Sequence, residues 1–138
     1  YVSLFEDAAV TNVSRYGEGG PMPAGTAMTV NFRLAGRDYM ILNGGPDFPQ
    51  SEAFSFMVNV DTQDEIDHLW NSLTADGGEE SMCGWLKDRW GVSWQIVPNM
   101  LGERMGAGDP AKAGAMRGAL LQMKKLDIAV LQAAYDAG

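Results

Sequence analysis

Hydrophobic and polar residues alternate over residues 28–34, which is the pattern of a strand with one buried face. The apolar positions are Met28, Val30, Phe32 and Leu34. A second apolar stretch, Arg37–Asn43, follows after an Ala-Gly pair, so we predict an antiparallel hairpin here. An earlier strand is predicted over residues 9–16, where β-branched residues are frequent, and a loop rich in Gly and Pro follows it over residues 17–25.

Residues 53–60 give the clearest strand pattern in the chain. One predicted face carries Phe54, Phe56, Val58 and Val60, and the other carries Ala53, Ser55, Met57 and Asn59. Thr62 and Glu65 form a capping box, which predicts a helix start, and Gly77-Gly78 predicts the end of that helix. The apolar stripe of the helix consists of Ile66, Leu69, Trp70 and Leu73.

Two more extended segments, 79–87 and 92–97, flank a predicted turn over residues 88–91. Further along, Asp109-Pro110 is a helix start with Pro at the first position, and Asp127 begins a last helix. The stripes of these two helices are Met116, Ala119, Leu120 and Met123, and Ile128, Leu131 and Ala134. The element order predicts an α+β fold made of paired βαβββ modules with a C-terminal helical extension.

Composition limits the possible classes of protein. The chain has 138 residues, of which 46% are hydrophobic and 20% charged, so it is long enough for one domain and apolar enough to fold. Acidic residues outnumber basic ones by 18 to 10, giving a net charge of −8. This charge disfavours nucleic acid and anionic membranes as partners. We therefore predict a single domain over residues 1–138, with modules at 1–50 and 51–100 and a helical tail at 101–138.

Cysteine usage and hydropathy bear on the compartment. Cys83 is the single cysteine, so the chain cannot form an internal disulfide. The sequence contains no apolar run of eighteen residues and no signal peptide pattern. These observations lead us to expect a cytoplasmic protein with no membrane partner.

Five segments of the sequence resemble one known family. They are Leu42-Asn-Gly-Gly-Pro46, Ser51–Phe56, Gln63–Trp70, Cys83–Gly91 and Ser93–Pro98. In these segments the chain resembles the PhnB-like family, which is also described as 3-demethylubiquinone-9 3-methyltransferase. This family belongs to the vicinal oxygen chelate superfamily, together with glyoxalase I, bleomycin-resistance proteins and extradiol dioxygenases. The resemblance implies a first strand and helix upstream, of which Tyr1–Phe5 matches only the end of the helix. The first module therefore lacks its first strand.

The resemblance also implies where a metal would bind. Enzymes of the superfamily hold a divalent metal with His and Glu on the concave barrel face, and the alignment places Ser55 and Gln95 at those two positions. A hydroxyl and an amide are neutral and poor ligands for such an ion, so we expect no metal and no other cofactor. We predict instead a small-molecule pocket floored by Ser55, Met57 and Gln95. Trp85 would form a wall of the pocket or pack in the core. Asn43 and Glu52 would form a polar rim or stabilise the turns beside them.

Other residues that could carry chemistry have simpler interpretations. His68 lies off the apolar stripe of its helix, so we predict a solvated residue there, and Cys83 has no histidine nearby in sequence to activate it. Gly17-Glu-Gly-Gly20 is followed by Pro21 and Pro23, where a phosphate-binding helix would have to begin. No glycine-rich turn typical of S-adenosylmethionine sites is present. The methyltransferase label therefore has no visible mechanism in the sequence.

The sequence is compatible with three functional hypotheses. The first is a metal-free protein that binds or modifies a small molecule, with catalytic residues unknown. The second is a non-catalytic, dimeric sequestering protein of the bleomycin-resistance type, and the third is a metal-dependent lyase or dioxygenase. We also predict a homodimer, because the apolar stripes of the tail exceed what one small barrel needs to cover.

Overall fold

The computed structural model describes residues 1–138, which form two compact units, Tyr1–Pro49 and Gln50–Gly138. The predicted α+β class is confirmed, with one three-stranded sheet, one four-stranded sheet and four α-helices. None of the helices combines the length and the apolar character needed to cross a bilayer.

The first unit is an antiparallel sheet in the order β1-β2-β3, formed by Ala9–Arg15, Ala27–Leu34 and Arg37–Leu42. The predicted hairpin between β2 and β3 is confirmed. Its turn residues, Ala35 and Gly36, both have positive φ, which matches the twist of two antiparallel strands. Residues 1–5 are not helical as predicted but form a turn, in which the Leu4 N–H donates to the Tyr1 carbonyl at 2.9 Å.

The second unit contains a complete βαβββ module. Its elements are β4 (Phe56–Val60), α1 (Gln63–Thr74), a 3-10 turn (Ala75–Gly77), β5 (Glu79–Glu80), β6 (Trp85–Lys87) and β7 (Ser93–Pro98). The sheet order is β4-β7-β6-β5, with β4 parallel to β7 and the other pairs antiparallel. Because α1 makes the crossover between β4 and the other strands, it packs on one face of the sheet. We call the opposite face, which α1 does not cover, the open face.

The helix-covered face of this sheet forms the core of the second unit. The predicted α1 stripe is buried, and Trp70 is only 1% exposed. On the sheet, Trp94 and Ile96 are buried beneath it, and the Phe56 ring lies 5.0 Å from the Trp94 ring. The capping box is present, with Glu65 N–H donating to the Thr62 hydroxyl. The predicted assignment of Trp94 to the core is therefore confirmed.

Strand β4 begins later than predicted. The pattern over residues 53–60 predicts one strand, but residues 51–54 turn instead. The Ser51 hydroxyl accepts the Ala53 N–H at 3.4 Å, and the Ser51 carbonyl accepts the Phe54 N–H at 3.5 Å. A serine side chain competes in this way with strand hydrogen bonds. As a result Phe54 is 62% exposed rather than part of the core.

The predicted extended segment over residues 79–87 is interrupted. Strands β5 and β6 are separate and pair with each other, because residues 81–84 reverse the chain. Cys83 and Gly84 both have positive φ there, at 59° and 82°. Cys83 N–H donates to the Met123 carbonyl at 2.7 Å. This contact with the tail holds a left-handed backbone at Cys83 that its sequence alone does not indicate.

The helical tail is part of the second unit and contacts its βαβββ module. It contains α2 (Asn99–Ala107), α3 (Pro110–Leu120) and α4 (Ile128–Ala137). The sequence analysis missed α2, since Gly102 and Gly106 lower its helix propensity. Five buried residues of the tail form one cluster, namely Leu101, Met116, Leu126, Leu131 and Tyr135. The tail stripes thus bury one another, which removes the reason for predicting a homodimer; the oligomeric state itself stays a prediction.

Candidate functional site

The open face of the second sheet brings together three of the predicted site residues. Gln95 on β7 is the register partner of Met57 on β4 and of Trp85 on β6. Residues paired in this way project from the same face of a sheet. Met57 is 55% exposed, and Trp85 and Gln95 are half-buried. The three side chains therefore form a row across the open face, with the amide in the middle.

Ser55 joins this row through its side chain. Gln95 Nε2 donates a hydrogen bond to Ser55 Oγ at 2.9 Å. Ser55 lies one residue before β4, so this side-chain bond extends the contact between β4 and β7 beyond their paired residues. The two positions that the resemblance aligns with metal ligands are thus in direct contact with each other.

Glu52 lies at the same face through an ion pair with Lys87 on β6. The hydrogen bond from the Lys87 ammonium lowers the pKa of the Glu52 carboxyl, and the same bond raises the pKa of Lys87. The two groups thereby stabilise each other's charged form. The sequence analysis did not identify Lys87. Its place two residues after Trp85 on one strand, and so on the same face, was the available signal.

Ser93 is a further residue of this face that the sequence analysis missed. It is the register partner of Lys87, and it precedes Gln95 by two residues on β7. Ser93 is 1% exposed, and its hydroxyl oxygen is buried without a hydrogen-bond partner. Buried hydroxyl groups nearly always have a hydrogen-bond partner in native proteins, so the unpartnered Ser93 hydroxyl is a candidate contact for a ligand.

Asp88 is buried in the same hairpin but has a structural role. Its Oδ1 accepts the Trp90 and Val92 N–H groups, at 2.9 and 3.0 Å, and its Oδ2 accepts the Trp94 indole at 3.0 Å. These bonds shape the predicted turn over residues 88–91 and tie it to the core. A carboxylate used in this way is not available for proton transfer or for a metal.

Asn43, the remaining predicted site residue, belongs to the first unit. Its side-chain amide donates to the Ala27 carbonyl at 3.1 Å, and its own carbonyl accepts the Tyr16 hydroxyl at 2.6 Å. These bonds hold the chain at the end of β3 against β2 and the neighbouring loop. Asn43 therefore has a structural role in its own unit.

The donor groups of the structure do not fit a divalent metal. No group of three or more His, Cys, Asp and Glu side chains is placed to hold one. His68, the single imidazole, lies exposed on α1 as predicted, and Ser55 and Gln95 are neutral groups joined by a hydrogen bond. A divalent ion prefers several imidazole, thiolate or carboxylate donors, and this pair offers none.

The strand-to-helix turn after β4 does not fit a nucleotide-type methyl donor. Such a cofactor requires free backbone N–H groups in a glycine-rich turn. Here the Asp61 and Thr62 N–H groups both donate to Glu65 Oε2, at 3.0 and 2.9 Å. The turn contains no glycine, and its own side chains satisfy the N–H groups that a cofactor would use.

Comparison with known protein families identifies the group of relatives. The family described as 3-demethylubiquinone-9 3-methyltransferase matches residues 1–97. The chain belongs to this PhnB-like family. The match ends at Val97 and so includes every residue of the open face described above. A comparison with curated protein sequences gave no match.

Two solved structures place this family member among proteins of similar fold. The PhnB protein from Bacillus cereus is 34% identical to this PhnB-like chain, over 71% of this chain and 84% of that one, with a TM-score of 0.65. Protein PA1353 from Pseudomonas aeruginosa is 24% identical over 65% of this chain and 77% of that one, with a TM-score of 0.52. The first supports the family, and the second shows similarity of fold alone.

Proposed function

We propose that this PhnB-like protein binds a small molecule on the open face of its second sheet without a divalent metal. The observation that carries the proposal is the hydrogen bond between Gln95 and Ser55. At the two positions where the superfamily places metal ligands, this chain has an amide and a hydroxyl in contact. Such a pair recognises carbonyl, hydroxyl or amino groups by hydrogen bonds and supplies no charge to hold a cation.

The row around Gln95 sets the shape of the ligand. Trp85 and Met57 stand on either side of the amide, and both present apolar surface. Aromatic and thioether side chains pack well against flat or aliphatic groups. The ligand we expect is therefore a partly apolar, planar molecule with at least one hydrogen-bonding group that reaches Gln95.

Titratable groups on this face favour binding over turnover. General acid–base catalysis requires a group whose pKa lies near the working pH. Glu52 and Lys87 are paired, and their pKa values move away from neutrality in opposite directions. The members of the row around Gln95, which are Ser55, Met57, Trp85 and Gln95, carry no acidic or basic side chain. The structure thus favours the non-catalytic binding hypothesis among the three.

The experiment that tests this function is native mass spectrometry of the purified full chain, followed by identification of any co-purified compound. Binding of that compound should weaken in Gln95→Leu and in Trp85→Ala. Gln132→Leu is the matched control, since Gln132 makes its own side-chain bond to Asp136 on α4. If both face variants retain the compound as the control does, the open face is not the binding site.

The family name suggests a second assay. Incubation with S-adenosylmethionine and a short-chain 3-demethylubiquinone should give no S-adenosylhomocysteine, because the turn after β4 has no free N–H groups for the donor. Formation of S-adenosylhomocysteine above the level of a protein-free sample would contradict a purely binding role.

A further inference from the structure

Residues 51–55 form a strap at the end of the open face, and it is held there by two side-chain contacts. Ser55 accepts the hydrogen bond from Gln95 on β7, and Glu52 pairs with Lys87 on β6. The turn at Ser51 directs Glu52 and Ser55 to these two partners. The strap therefore contacts two strands of the open face, β6 and β7.

Three groups that can donate hydrogen bonds lie at and next to the contacts of the strap. The Lys87 ammonium, the Ser93 hydroxyl and the Gln95 amide occupy neighbouring positions of β6 and β7. Ser93 is directly opposite Lys87, and its hydroxyl has no partner. The Glu52 carboxylate is the acceptor that pairs directly with Lys87, and its side chain is 62% exposed against 35% for Lys87. The cation is therefore the more enclosed member of the pair.

We propose that the Glu52 carboxylate occupies the place of a ligand carboxylate, and that ligands of this protein carry a carboxylate which displaces Glu52 from Lys87. This inference rests on the proposed function and names its ligand class. Displacement frees the strap at Glu52, and the Ser93 hydroxyl, on the residue directly opposite Lys87, then donates to the incoming carboxylate. The unpartnered hydroxyl thus has a partner only in the bound state.

The charges around Lys87 favour a carboxylate over a doubly charged anion. Glu79 is the register partner of Lys87 on β5, and its negative charge also acts on the ammonium. A carboxylate that replaces the Glu52 carboxylate leaves the number of charges at Lys87 unchanged. A phosphate dianion would add a second negative charge next to Glu79, at a cost that grows as the site is closed to water.

Benzoate is the probe that tests this inference, with benzamide as its neutral counterpart. Both have a flat ring for Trp85, and only benzoate carries the charge. In an NMR titration of the full chain, benzoate should bind more tightly than benzamide. Glu52→Gln should lower the Kd for benzoate at least tenfold because the internal competitor loses its charge, and Lys87→Met should abolish the difference between the two probes.

Two further variants separate binding from structural effects. Ser93→Ala removes a hydroxyl without a partner, so it should leave the melting temperature unchanged or higher while weakening benzoate at least threefold. Glu103→Gln is the control for Glu52→Gln, since Glu103 is exposed on α2, and it should leave the Kd unchanged.

A Kd for benzoate that Glu52→Gln does not lower overturns the carboxylate inference. So does a Lys87→Met variant that still prefers benzoate. If benzamide binds in these cases and Gln95→Leu weakens it, the proposed function stands and only the ligand class is wrong. If a compound that co-purifies with the chain binds independently of Gln95 and Trp85, the proposed function itself fails.

Discussion

The indole of Trp94 donates a hydrogen bond to the carboxylate of Asp88 at 3.0 Å, six residues earlier on the same hairpin. Both residues are buried, and the other carboxylate oxygen of Asp88 holds the N–H groups of Trp90 and Val92. One side chain thus fixes the β6–β7 turn and satisfies the indole in the core. The placement of Lys87, Ser93 and Gln95 on one face depends on this turn.

Asp88→Ala should therefore destabilise the protein. The change leaves the Trp94 indole without this acceptor in the core, and an unsatisfied buried group costs about 1–3 kcal/mol. Urea unfolding followed by far-UV circular dichroism measures the loss. Asp76→Asn is the control, because Asp76 makes a surface ion pair with Arg89 and should cost less than about 1 kcal/mol. Equal losses would show that the Asp88 network contributes little.

Trp70→Ala should destabilise the fold by about 3–5 kcal/mol, the usual cost of deleting a buried aromatic side chain. Trp70 belongs to the buried stripe of α1, and its indole donates to Glu80 at 2.8 Å. His68→Ala, two residues away on the exposed side of the same helix, should change stability by less than about 0.5 kcal/mol. Chemical denaturation of both variants checks the orientation of the helix. Equal losses of stability in the two variants would show that this orientation is wrong.

Glycines at two positions should respond to alanine in opposite directions. At Gly84, where φ is +82°, an added Cβ would lie 2.9 Å from the Ile96 carbonyl and 3.1 Å from Leu126. Gly84→Ala should therefore cost about 1–3 kcal/mol. At Gly102 within α2 an added Cβ meets nothing within 4 Å, so Gly102→Ala should stabilise by about 0.5–1 kcal/mol. Thermal melts of the two variants should shift to opposite sides of the native value.

The native protein should purify without stoichiometric zinc, nickel, manganese or iron, even when these metals are supplied. Ser55 and Gln95 offer no donor that such an ion prefers. The double variant Ser55→His with Gln95→Glu should introduce two donors on one face and give measurable, weak divalent metal binding by calorimetry. One tightly held metal per native chain in elemental analysis would contradict the metal-free proposal. A double variant that gains no affinity for a divalent metal would contradict only the assignment of Ser55 and Gln95 to the two ligand positions.

The capping box of α1 should lose stability in acid. The hydrogen bond from the Thr62 hydroxyl and those from the Thr62 and Asp61 N–H groups lower the pKa of Glu65 below its ordinary value of 4.5. Its contribution is thus present above that value and is lost as the pH falls through the folded-state pKa. Glu65→Gln mimics the protonated side chain. The difference in stability between this variant and the native chain should be clear at pH 7 and should vanish below the folded-state pKa of Glu65. A difference that does not change with pH would contradict a stabilising role of the Glu65 charge.

Much of the fold could be read from the sequence because its signals are local. The capping box and the α1 stripe involve residues three or four positions apart, and such neighbours meet in any helix. The Ala35-Gly36 hairpin likewise needs only a two-residue turn between alternating strands. Interactions between residues so close in sequence do not depend on the rest of the chain, and the structure confirms these predictions.

Only the tertiary structure decided the composition of the open face. Gln95 and Ser55 are 40 residues apart, and their bond exists because β4 and β7 pair in a particular register across the α1 crossover. The pairing of Lys87 with Glu52 and the unpartnered hydroxyl of Ser93 depend on the same register and on the turn at Ser51. Alternation assigns a residue to a face of its own strand, but which side chains meet across strands is set by the packing of the whole sheet.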